Sequence, residues 1–436
     1  MALSMHSLAG TARACWFLWP GVVLVGAVAV LYAWAMVSAH AAMMTLVGAF
    51  PSALLVIMPA AGAACVWITR RWFVGAEGSG LPQTIAALDG DLATQRWLLS
   101  WRLLLGKVGL SVLATAAGFP IGRQGPTIYL GAVIMHEIRA RVPLLQRWSA
   151  SEVSDRQWIA LGGAAGLAAA FHTPLAGVTF ALEQLLVGEE IRGRTVALLL
   201  MATFAAVAVP LLAASGIVAP QIPPGIRDGQ LVMAVLLTGA ATGLAGAGFA
   251  WMLVHSTRWL PVWLVALRTG RPVIFGAACG LFVALLAMSS RVRILESAEQ
   301  VVHRILEGGE FFPVEVCARW LALLATAIAG IPGGVFVPSV SIGAGIGEVL
   351  HQIMNSVDVQ FFVTLSMAGY LAALTRGPFT ACVVAIELSG SLRALFPILA
   401  TCLLAAWISA SFTPPLYRAL SISYKGESPP KRGGHA

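Results

Sequence analysis

The sequence predicts an all-α polytopic membrane protein, and two features of its composition carry this prediction. Hydrophobic residues make up 58% of the 436 residues, and with the 45 glycines the apolar-plus-glycine share is about 68%, against about 45–50% in soluble domains. Charged residues make up 11%, where about 25% is typical. A globular surface of this size cannot be covered by so few solvated side chains. An ordinary soluble enzyme is therefore excluded.

The N-terminal hydrophobic runs predict two long helices that form a hairpin. The first run extends from Cys15 to Val37. It exceeds the 7–15 apolar residues usual in a secretory signal, so a retained membrane span is favoured over a cleaved signal. The second run extends from Ala41 to Thr69 and ends in Arg70-Arg71-Trp72, where basic and aromatic residues are typical of a membrane interface.

Beyond residue 72 the hydrophobic runs become shorter, about 12–18 residues, and Gly/Pro segments separate them. A helix needs about 20 residues to cross the hydrocarbon core, so we expect tilted and broken helices that end inside the membrane. The interruptions lie at 78–82, 118–126, 171–174, 330–338 and 376–378. Longer runs predict conventional spans at Thr195 to Val218, Leu231 to Val254 and Val273 to Met288.

Two pairs of segments recur in the same order and predict a duplicated half. Residues 118–132 align with 330–344 at an offset of 212, sharing Gly, Pro and Ala positions. Residues 174–183 align with 378–387 at an offset of 204, each with a Pro and a Glu nine residues apart. Biased composition could produce one such match by chance. Two matches indicate repeat halves at roughly 41–218 and 230–420, and Gly/Pro-interrupted segments in corresponding positions point to a transporter binding site.

Three Gly-x-x-x-Pro segments predict an intramembrane anion site. They are Gly78-Ser-Gly-Leu-Pro82, Gly122-Arg-Gln-Gly-Pro126 and Gly334-Val-Phe-Val-Pro338. Glycine lets the backbone approach a ligand, and proline suits the first turn of a helix. The unpaired N–H groups and the dipole of such helix starts favour a small anion. The alternative is that these glycines only permit close helix packing in lipid.

These three segments resemble the GSGIP, GREGP and GxFxP motifs of the CLC family of chloride channels and proton/chloride exchangers, GREGP with one change. Further matches are residues 165–177 and Pro415-Leu-Tyr-Arg-Ala419. The resemblance is to bacterial members without C-terminal CBS domains. It implies a CLC-type double-repeat transmembrane domain over 1–420. It also implies a homodimer in which each subunit has its own pore formed by two inverted halves. The basic residues of the polar tail at 421–436 favour a cytoplasmic C-terminus.

The resemblance also implies the residues of the pore. The central anion would lie between the hydroxyls of Ser79 and Tyr417 and the backbone N–H groups of Val335 and Phe336. Alone, Ser79 could also be a helix N-cap, and Tyr417 could be an interface anchor. The resemblance to chloride-selective members rests on Ser79. The pore-supporting positions are Gly78, Gly80, Pro82, Lys107, Gly122, Arg123, Gly125, Pro126, Gly334 and Pro338.

Lys107 and Arg123 are the two cations among these positions. Lys107 is costly inside a hydrophobic run, and charges in membrane segments are functional candidates. The family has a lysine at this spacing whose field favours anions in the pore. Snorkelling of Lys107 to an interface is the alternative. Arg123 is expected to pair with a carboxylate or with backbone, and the sequence does not identify the partner.

Two departures from the family pattern concern proton transport. The gate carboxylate of GREGP is Gln124 here, and the inner proton acceptor of the exchangers is Gln184, next to Glu183. An amide does not ionise near neutral pH. The sequence therefore predicts passive chloride conduction without proton coupling. The alternative is a coupled antiporter that uses another acid, such as Glu77 or Glu137.

Other classes of function are disfavoured. The +8 formal charge is scattered between apolar runs, which excludes a nucleic-acid surface and suits a protein embedded in lipid. The resemblance implies chloride as the transported ion and a bacterial inner (plasma) membrane as the location. The cysteines occur singly and predict buried small hydrophobes with no metal site or disulfide framework. His136-Glu137 and His172 have no metal-ligand spacing, so an intramembrane enzyme or an organic-solute carrier is disfavoured. No cofactor is expected.

Overall fold

The computed structural model describes residues 5–142, 153–212, 228–290, 292–309, 311–354, 358–390 and 392–425. Helices account for nearly all regular structure in these ranges. Those of the N-terminal half are α1 Met5–Ala49, α2 Leu54–Trp72, α3 Leu81–Asp89, α4 Leu92–Leu98, α5 Trp101–Ala116, α6 Gln124–Arg141, α7 Asp155–Phe171, α8 Pro174–Phe180 and α9 Gly193–Leu212. A π-helical turn, Ala181–Leu185, continues α8.

The C-terminal half contains α10 Asp228–Val254, α11 Ser256–Trp259, α12 Val262–Gly270, α13 Pro272–Ser289, α14 Ala298–Leu306, α15 Pro313–Ile328, α16 Phe336–Met354, α17 Val359–Thr375, α18 Pro378–Ser389, α19 Leu395–Phe412 and α20 Leu416–Ser421. Seven helical segments of the described chain are long and apolar enough to cross a membrane. The prediction of an all-α polytopic membrane protein with additional short helices is confirmed. Of the predicted polar tail, 426–436 lies outside the described residues, as does the end of the predicted run at Val218.

The hairpin predicted for the N-terminus is wrong. α1 continues through residues 38–41 and ends at Ala49, two residues before Pro51, which begins a 3₁₀ turn. α2 then packs mainly against α13 rather than back along α1. A Cβ on Gly62 would lie 2.4 Å from the carbonyl oxygen of Gly276, so the backbones of α2 and α13 are in contact there. Some glycines therefore serve close helix packing, as the alternative interpretation expected.

The two halves show paired elements of equal length. α3 and α14 both have 9 residues, α5 and α15 both have 16, and α7 and α17 both have 17. α7 and α17 also end alike, at His172 with φ 60° and at Arg376 with φ 58°, in left-handed conformations that few non-glycine residues adopt. This correspondence supports a duplicated half; the bounds 41–218 and 230–420 stay a prediction.

Candidate anion site

The three Gly-x-x-x-Pro segments meet at one place in the fold. Gly122 and Gly334 form a two-residue antiparallel bridge in which each N–H donates to the other's carbonyl oxygen, at 2.7 and 2.8 Å. The N–H of Gly333 donates to the carbonyl oxygen of Gly78 at 3.1 Å. Hydrogen bonds between segments more than 200 residues apart thus bring together the starts of α3, α6 and α16.

The close approach of these segments requires glycine at two positions. A Cβ on Gly125 would lie 2.8 Å from the carbonyl oxygen of Ser79 and 3.3 Å from the Cα of Gly334. Gly80 has φ 90°, and a Cβ there would lie 2.6 Å from the Cβ of Tyr129. A larger residue at either position would separate the helix starts or strain the backbone.

Two cavities lie on either side of this junction, and Ile121 lines both. The first, about 630 Å³, is here called the Ser79 cavity because Ser79 and Tyr417 line it together with Gly334 and Val335. The second, about 590 Å³, is called the Gln124 cavity because Gln124 lines it together with Gly122, Arg123 and Pro338. Two cavities thus meet at the junction of the three helix starts.

Three donors at the junction side of the Ser79 cavity have no partner among the described residues. Tyr417 is 1% exposed, and its hydroxyl has no hydrogen-bond partner in the described chain. Its ring stacks on Phe336, with centroids 5.8 Å apart and planes 9° from parallel. The N–H groups of Val335 and Phe336 donate to no other described residue, as the first turn of a helix predicts. Tyr417 is therefore not an interface anchor, and its hydroxyl is free to donate to a ligand.

Ser79 is 6% exposed and precedes Gly80, the residue before α3. No side chain accepts hydrogen bonds from the first turn of α3. The N-cap role considered for Ser79 is thus not observed. Pro82, Pro126 and Pro338 lie in the first turns of α3, α6 and α16, where proline is compatible with helix.

Lys107 lies in the middle of α5 and is fully buried. Its ammonium donates hydrogen bonds to the carbonyl oxygens of Ala76, Glu77 and Gly78, at 2.7, 3.1 and 2.9 Å. Snorkelling to an interface is therefore excluded. Residues 76–78 belong to the loop before α3, and the Lys107 ammonium binds the carbonyl oxygens of all three. Lys107 therefore positions the backbone immediately before Ser79.

Gln124 is the first residue of α6, and its side chain is 1% exposed. The amide oxygen has no hydrogen-bond partner in the described residues and lies 3.0 Å from where a Cβ on Gly122 would stand. Arg123 also lines the Gln124 cavity. Within the described chain Arg123 forms no ion pair, and Glu299 is an acid that lines the same cavity. The carboxylate or backbone partner expected for Arg123 is therefore not seen as a direct contact in the described residues.

Gln184 and Glu183 lie in the π-helical turn after α8, away from both cavities. Gln184 is buried, and its amide nitrogen lies 3.2 Å from where a Cβ on Gly377 would stand. Glu183 accepts hydrogen bonds from the N–H groups of Phe379 and Thr380, at 3.0 and 2.7 Å. It thus caps α18, and the structure does not bring Gln184 together with Gln124.

The same contact recurs with the two halves exchanged. Glu387 accepts hydrogen bonds from the N–H groups of Leu175 and Ala176, at 3.0 and 2.8 Å, and so caps α8. Glu183 and Glu387 are the residues paired at an offset of 204 in the sequence. Reciprocal contacts between equivalent residues are what a two-fold relation produces, and Gly122 and Gly334 show them too. The helix starts of α8 and α18 are consequently occupied by carboxylates.

One buried cation escaped the sequence analysis. Arg319 is 4% exposed at the seventh position of α15, as Lys107 is at the seventh of α5, and the two are 212 residues apart. Its guanidinium donates to the carbonyl oxygens of Arg293 and Glu296 in the loop before α14. The offset of 212 already found for the Gly/Pro segments could have identified it.

Glu137 and the cysteines of the described chain line neither cavity. The described residues contain no group of three or more His, Cys, Asp or Glu side chains that could hold a metal ion. Glu137 forms an ion pair with Arg141 at 3.0 Å and, 13 residues after Gln124, lies about 20 Å further along α6. Cys65, Cys382 and Cys402 are buried as expected, whereas Cys317 is exposed on α15. For Cys317 the expectation of burial is wrong.

These features define a class: a multi-pass membrane protein with converging helix starts between two cavities, as in channels and transporters for small anions. The family model described as "Voltage gated chloride channel" matches residues 61–410. The chain belongs to this family, which confirms the resemblance found in the motifs.

Similar proteins include both named channels and named exchangers. The voltage-gated ClC-type chloride channel ClcB of Salmonella typhimurium is 28% identical over 317 residues, covering 69% of this chain and 71% of the relative. The H(+)/Cl(-) exchange transporter ClcA of Cronobacter sakazakii is 28% identical over 377 residues, covering 81% and 76%.

Solved structures share the fold. A slow cyanobacterial Cl⁻/H⁺ antiporter has a TM-score of 0.78 at 22% identity, with 95% of this chain and 97% of that chain covered. A CLC-type fluoride/proton antiporter has a TM-score of 0.78 at 20% identity, covering 96% and 99%.

Proposed function

We propose that this protein conducts chloride passively and without proton coupling across a bacterial inner membrane, as a homodimer with a pore in each subunit. The observation that carries the proposal is the place of Gln124. This uncharged amide is buried at the junction of three helix starts, at the Gln124 cavity. A carboxylate at that position could act as a proton-dependent gate, but an amide neither ionises nor releases a proton near neutral pH.

Chloride would bind on the other side of the junction. The hydroxyls of Ser79 and Tyr417 and the N–H groups of Val335 and Phe336 supply neutral donors. Tyr417 supports this assignment most, because a buried hydroxyl without a partner is costly unless a ligand accepts its hydrogen bond. Neutral donors hold an anion weakly enough for it to leave, which conduction requires.

Lys107 would contribute a field rather than a binding contact. Its ammonium is surrounded by three carbonyl oxygens and does not line either cavity. A direct Lys–Cl⁻ pair in a low-dielectric site would hold the ion too strongly for fast passage. A buried positive charge one loop away favours anions over cations without trapping them.

A coupled antiporter remains the second candidate, and one observation favours a particular acid for it. Glu77 lines the Ser79 cavity next to Gly78 and Ser79, and its carboxylate accepts a hydrogen bond from the N–H of Gly75 at 3.0 Å. Proton exchange would need a second group at the other cavity, where Glu296 and Glu299 are the lining acids. Glu137, ion-paired at the far end of α6, does not suit this role.

Simultaneous recording of Cl⁻ and H⁺ in reconstituted vesicles tests the proposal. A Cl⁻ gradient should drive chloride efflux. Protons should move only when a protonophore is added, and then only in response to the membrane potential. Uphill proton movement in fixed ratio to chloride would refute passive conduction. Glu77→Gln is the matched variant: in a Glu77-dependent exchanger it would abolish proton movement, whereas in a passive conductor it would leave the absence of coupling unchanged.

The orientation follows from the basic residues. Arg70 and Arg268 line the Ser79 cavity, and Arg71, Arg258 and Arg271 lie on the same chain segments. Positive residues flanking spans favour the cytoplasmic side, so the Ser79 cavity would open to the cytoplasm. Lys425 forms an ion pair with Asp89, at the end of α3, at 2.9 Å. Cysteine labelling at the polar tail with an impermeant reagent would place it on the cytoplasmic side.

A further inference from the structure

Gln83 is a fully buried residue at the third position of α3, four residues after Ser79. Its side-chain amide nitrogen donates hydrogen bonds to the carbonyl oxygens of Gly75 and Glu77, at 3.0 and 2.6 Å. Lys107 binds the carbonyl oxygens of residues 76–78 from α5. The loop that leads to Ser79 is therefore held by two buried donors, one from α3 and one from α5.

Gln83 does not cap α3, although glutamine at the third position of a helix commonly caps the helix start. Gln157 in α7 and Gln300 in α14 do so, because each accepts a hydrogen bond from the N–H of the serine before its helix. The amide oxygen of Gln83 has no hydrogen-bond partner in the described chain. An inverted amide would set that oxygen against the carbonyl oxygens of Gly75 and Glu77. The loop, rather than the helix start, thus fixes the orientation of the Gln83 amide.

The same amide also contacts the C-terminal segment. Its nitrogen donates to the hydroxyl of Tyr424 at 2.9 Å, and the three acceptors share the two N–H bonds of the amide. Tyr424 is 7% exposed and ends the 3₁₀ turn that follows α20. It lines the Ser79 cavity, as does Tyr417 seven residues earlier. Since α20 also packs against α3, a buried hydrogen bond joins the segment that carries Ser79 to the segment that carries Tyr417.

We propose that Gln83 and Tyr424 are positioning residues of the anion site, and that their hydrogen bond fixes the distance between the hydroxyls of Ser79 and Tyr417. The inference rests on the proposed function, because it concerns two donors that would hold chloride. Gln83 itself lines neither cavity, so it acts through the segments that it joins. Without the bond the two segments separate part of the time, and both hydroxyls reach one ion only in the remaining fraction. The apparent dissociation constant rises by the inverse of that fraction.

Chloride binding to the full chain, measured by calorimetry, tests this role. Tyr424→Phe keeps the ring and the loop contacts of Gln83, and it should raise the chloride dissociation constant about two- to tenfold, the effect of one lost hydrogen bond. Gln83→Met should raise it at least as much, and the double variant should bind chloride as Gln83→Met does, because both changes remove the same contact.

Two controls match these variants. Gln157→Met removes the same side chain at the third position of a helix, from a residue that lines neither cavity. Lys425→Met removes the other contact between the C-terminal segment and α3, an exposed ion pair with Asp89. Both controls should leave the chloride dissociation constant unchanged. A rise in either control equal to that in Tyr424→Phe would overturn the proposal.

The Tyr417→Phe background separates positioning from a general loss of stability. When the Tyr417 hydroxyl is absent, its distance from Ser79 no longer matters, so Tyr424→Phe should then change the affinity little. Equal weakening by Tyr424→Phe in both backgrounds would indicate a merely structural role and overturn the proposal. Chloride binding by the native protein that Tyr424→Phe leaves unchanged would overturn the positioning role and leave the proposed function intact. No chloride binding by the native protein would overturn both.

Discussion

The substitution Gln124→Glu introduces one negative charge at the junction of the helix starts while preserving the shape of the side chain. Gln124 is 1% exposed at the first residue of α6, and the helix dipole favours a negative charge there by about 0.3–2 kcal/mol. The introduced carboxylate should thus be tolerated structurally. It should occupy the place in the Gln124 cavity where an anion would otherwise approach the α6 N-terminus.

The magnitude follows from Coulomb's law. Two unit charges 4 Å apart repel by about 1 kcal/mol in water and about 4 kcal/mol at an effective dielectric constant of about 20. Chloride occupancy beside the ionised carboxylate should therefore fall by between about fivefold and about 700-fold. When the carboxyl is protonated, the repulsion is lost. Chloride flux in the variant should be low at alkaline pH and should rise as pH falls through the pKa of the new carboxyl.

The assay is chloride efflux from vesicles at a series of pH values, for the native protein and the variant. The native protein should show little pH dependence from this position. Gln360→Glu is a matched control, because Gln360 lies in the first turn of α17 and lines neither cavity. Flux in Gln124→Glu that is as fast and as indifferent to pH as in the control would refute the assignment of Gln124 to the pathway.

Three further substitutions test the surrounding contacts. Tyr417→Phe keeps the aromatic stack but removes a hydrogen-bond donor to a charged ligand, which should weaken chloride binding by about 1.5–3 kcal/mol. Chloride affinity measured by calorimetry should therefore fall at least about tenfold. Unchanged affinity would show that Tyr417 does not contribute to the site. Lys107→Met leaves three carbonyl oxygens without their donor and should lower the unfolding free energy by about 1–3 kcal/mol. Lys425→Met, at an exposed ion pair, should cost at most about 1 kcal/mol. Equal shifts in thermal unfolding would contradict the burial argument. Glu183→Ala and Glu387→Ala each remove a helix cap and should destabilise by similar amounts, about 0.5–2 kcal/mol; a large effect of only one would contradict their equivalence.

The fold class and the helix starts at the Gly/Pro segments could be predicted because they depend on local chemistry. A glycine-rich start followed by proline has the same backbone preferences wherever it occurs. The prediction of an N-terminal hairpin was wrong because residues 38–41 do not end a helix. Residues 38–41 suit a helix interior in lipid, α1 ends two residues before Pro51, and packing against α13 then decides the path of α2.

The contacts of Lys107 and Arg319 show what local chemistry leaves open. A lysine in a hydrophobic run can snorkel or be buried, and both conformations satisfy the same sequence. Here the loop at 76–78 supplies three carbonyl oxygens to the ammonium. That contact depends on how α5 packs against a loop about 30 residues earlier, which periodicity does not reveal. The offset of 212 would have paired Lys107 with Arg319, but the sequence analysis did not apply it to these positions.

The sequence alone determined the chemistry that is absent: Gln124 and Gln184 are amides, and no arrangement of the chain can make an amide ionise near neutral pH. Only the tertiary structure decided which helix starts stay open to an anion. Glu183 and Glu387 cap α18 and α8 from the opposite half. In the described chain no carboxylate accepts a hydrogen bond from the starts of α3 and α6, and Glu77, which lines the Ser79 cavity, accepts one from the N–H of Gly75 instead. The reason is physical: a helix start binds whatever negative group the fold brings to it, and bringing residues some 200 positions apart into hydrogen-bond contact is the work of packing.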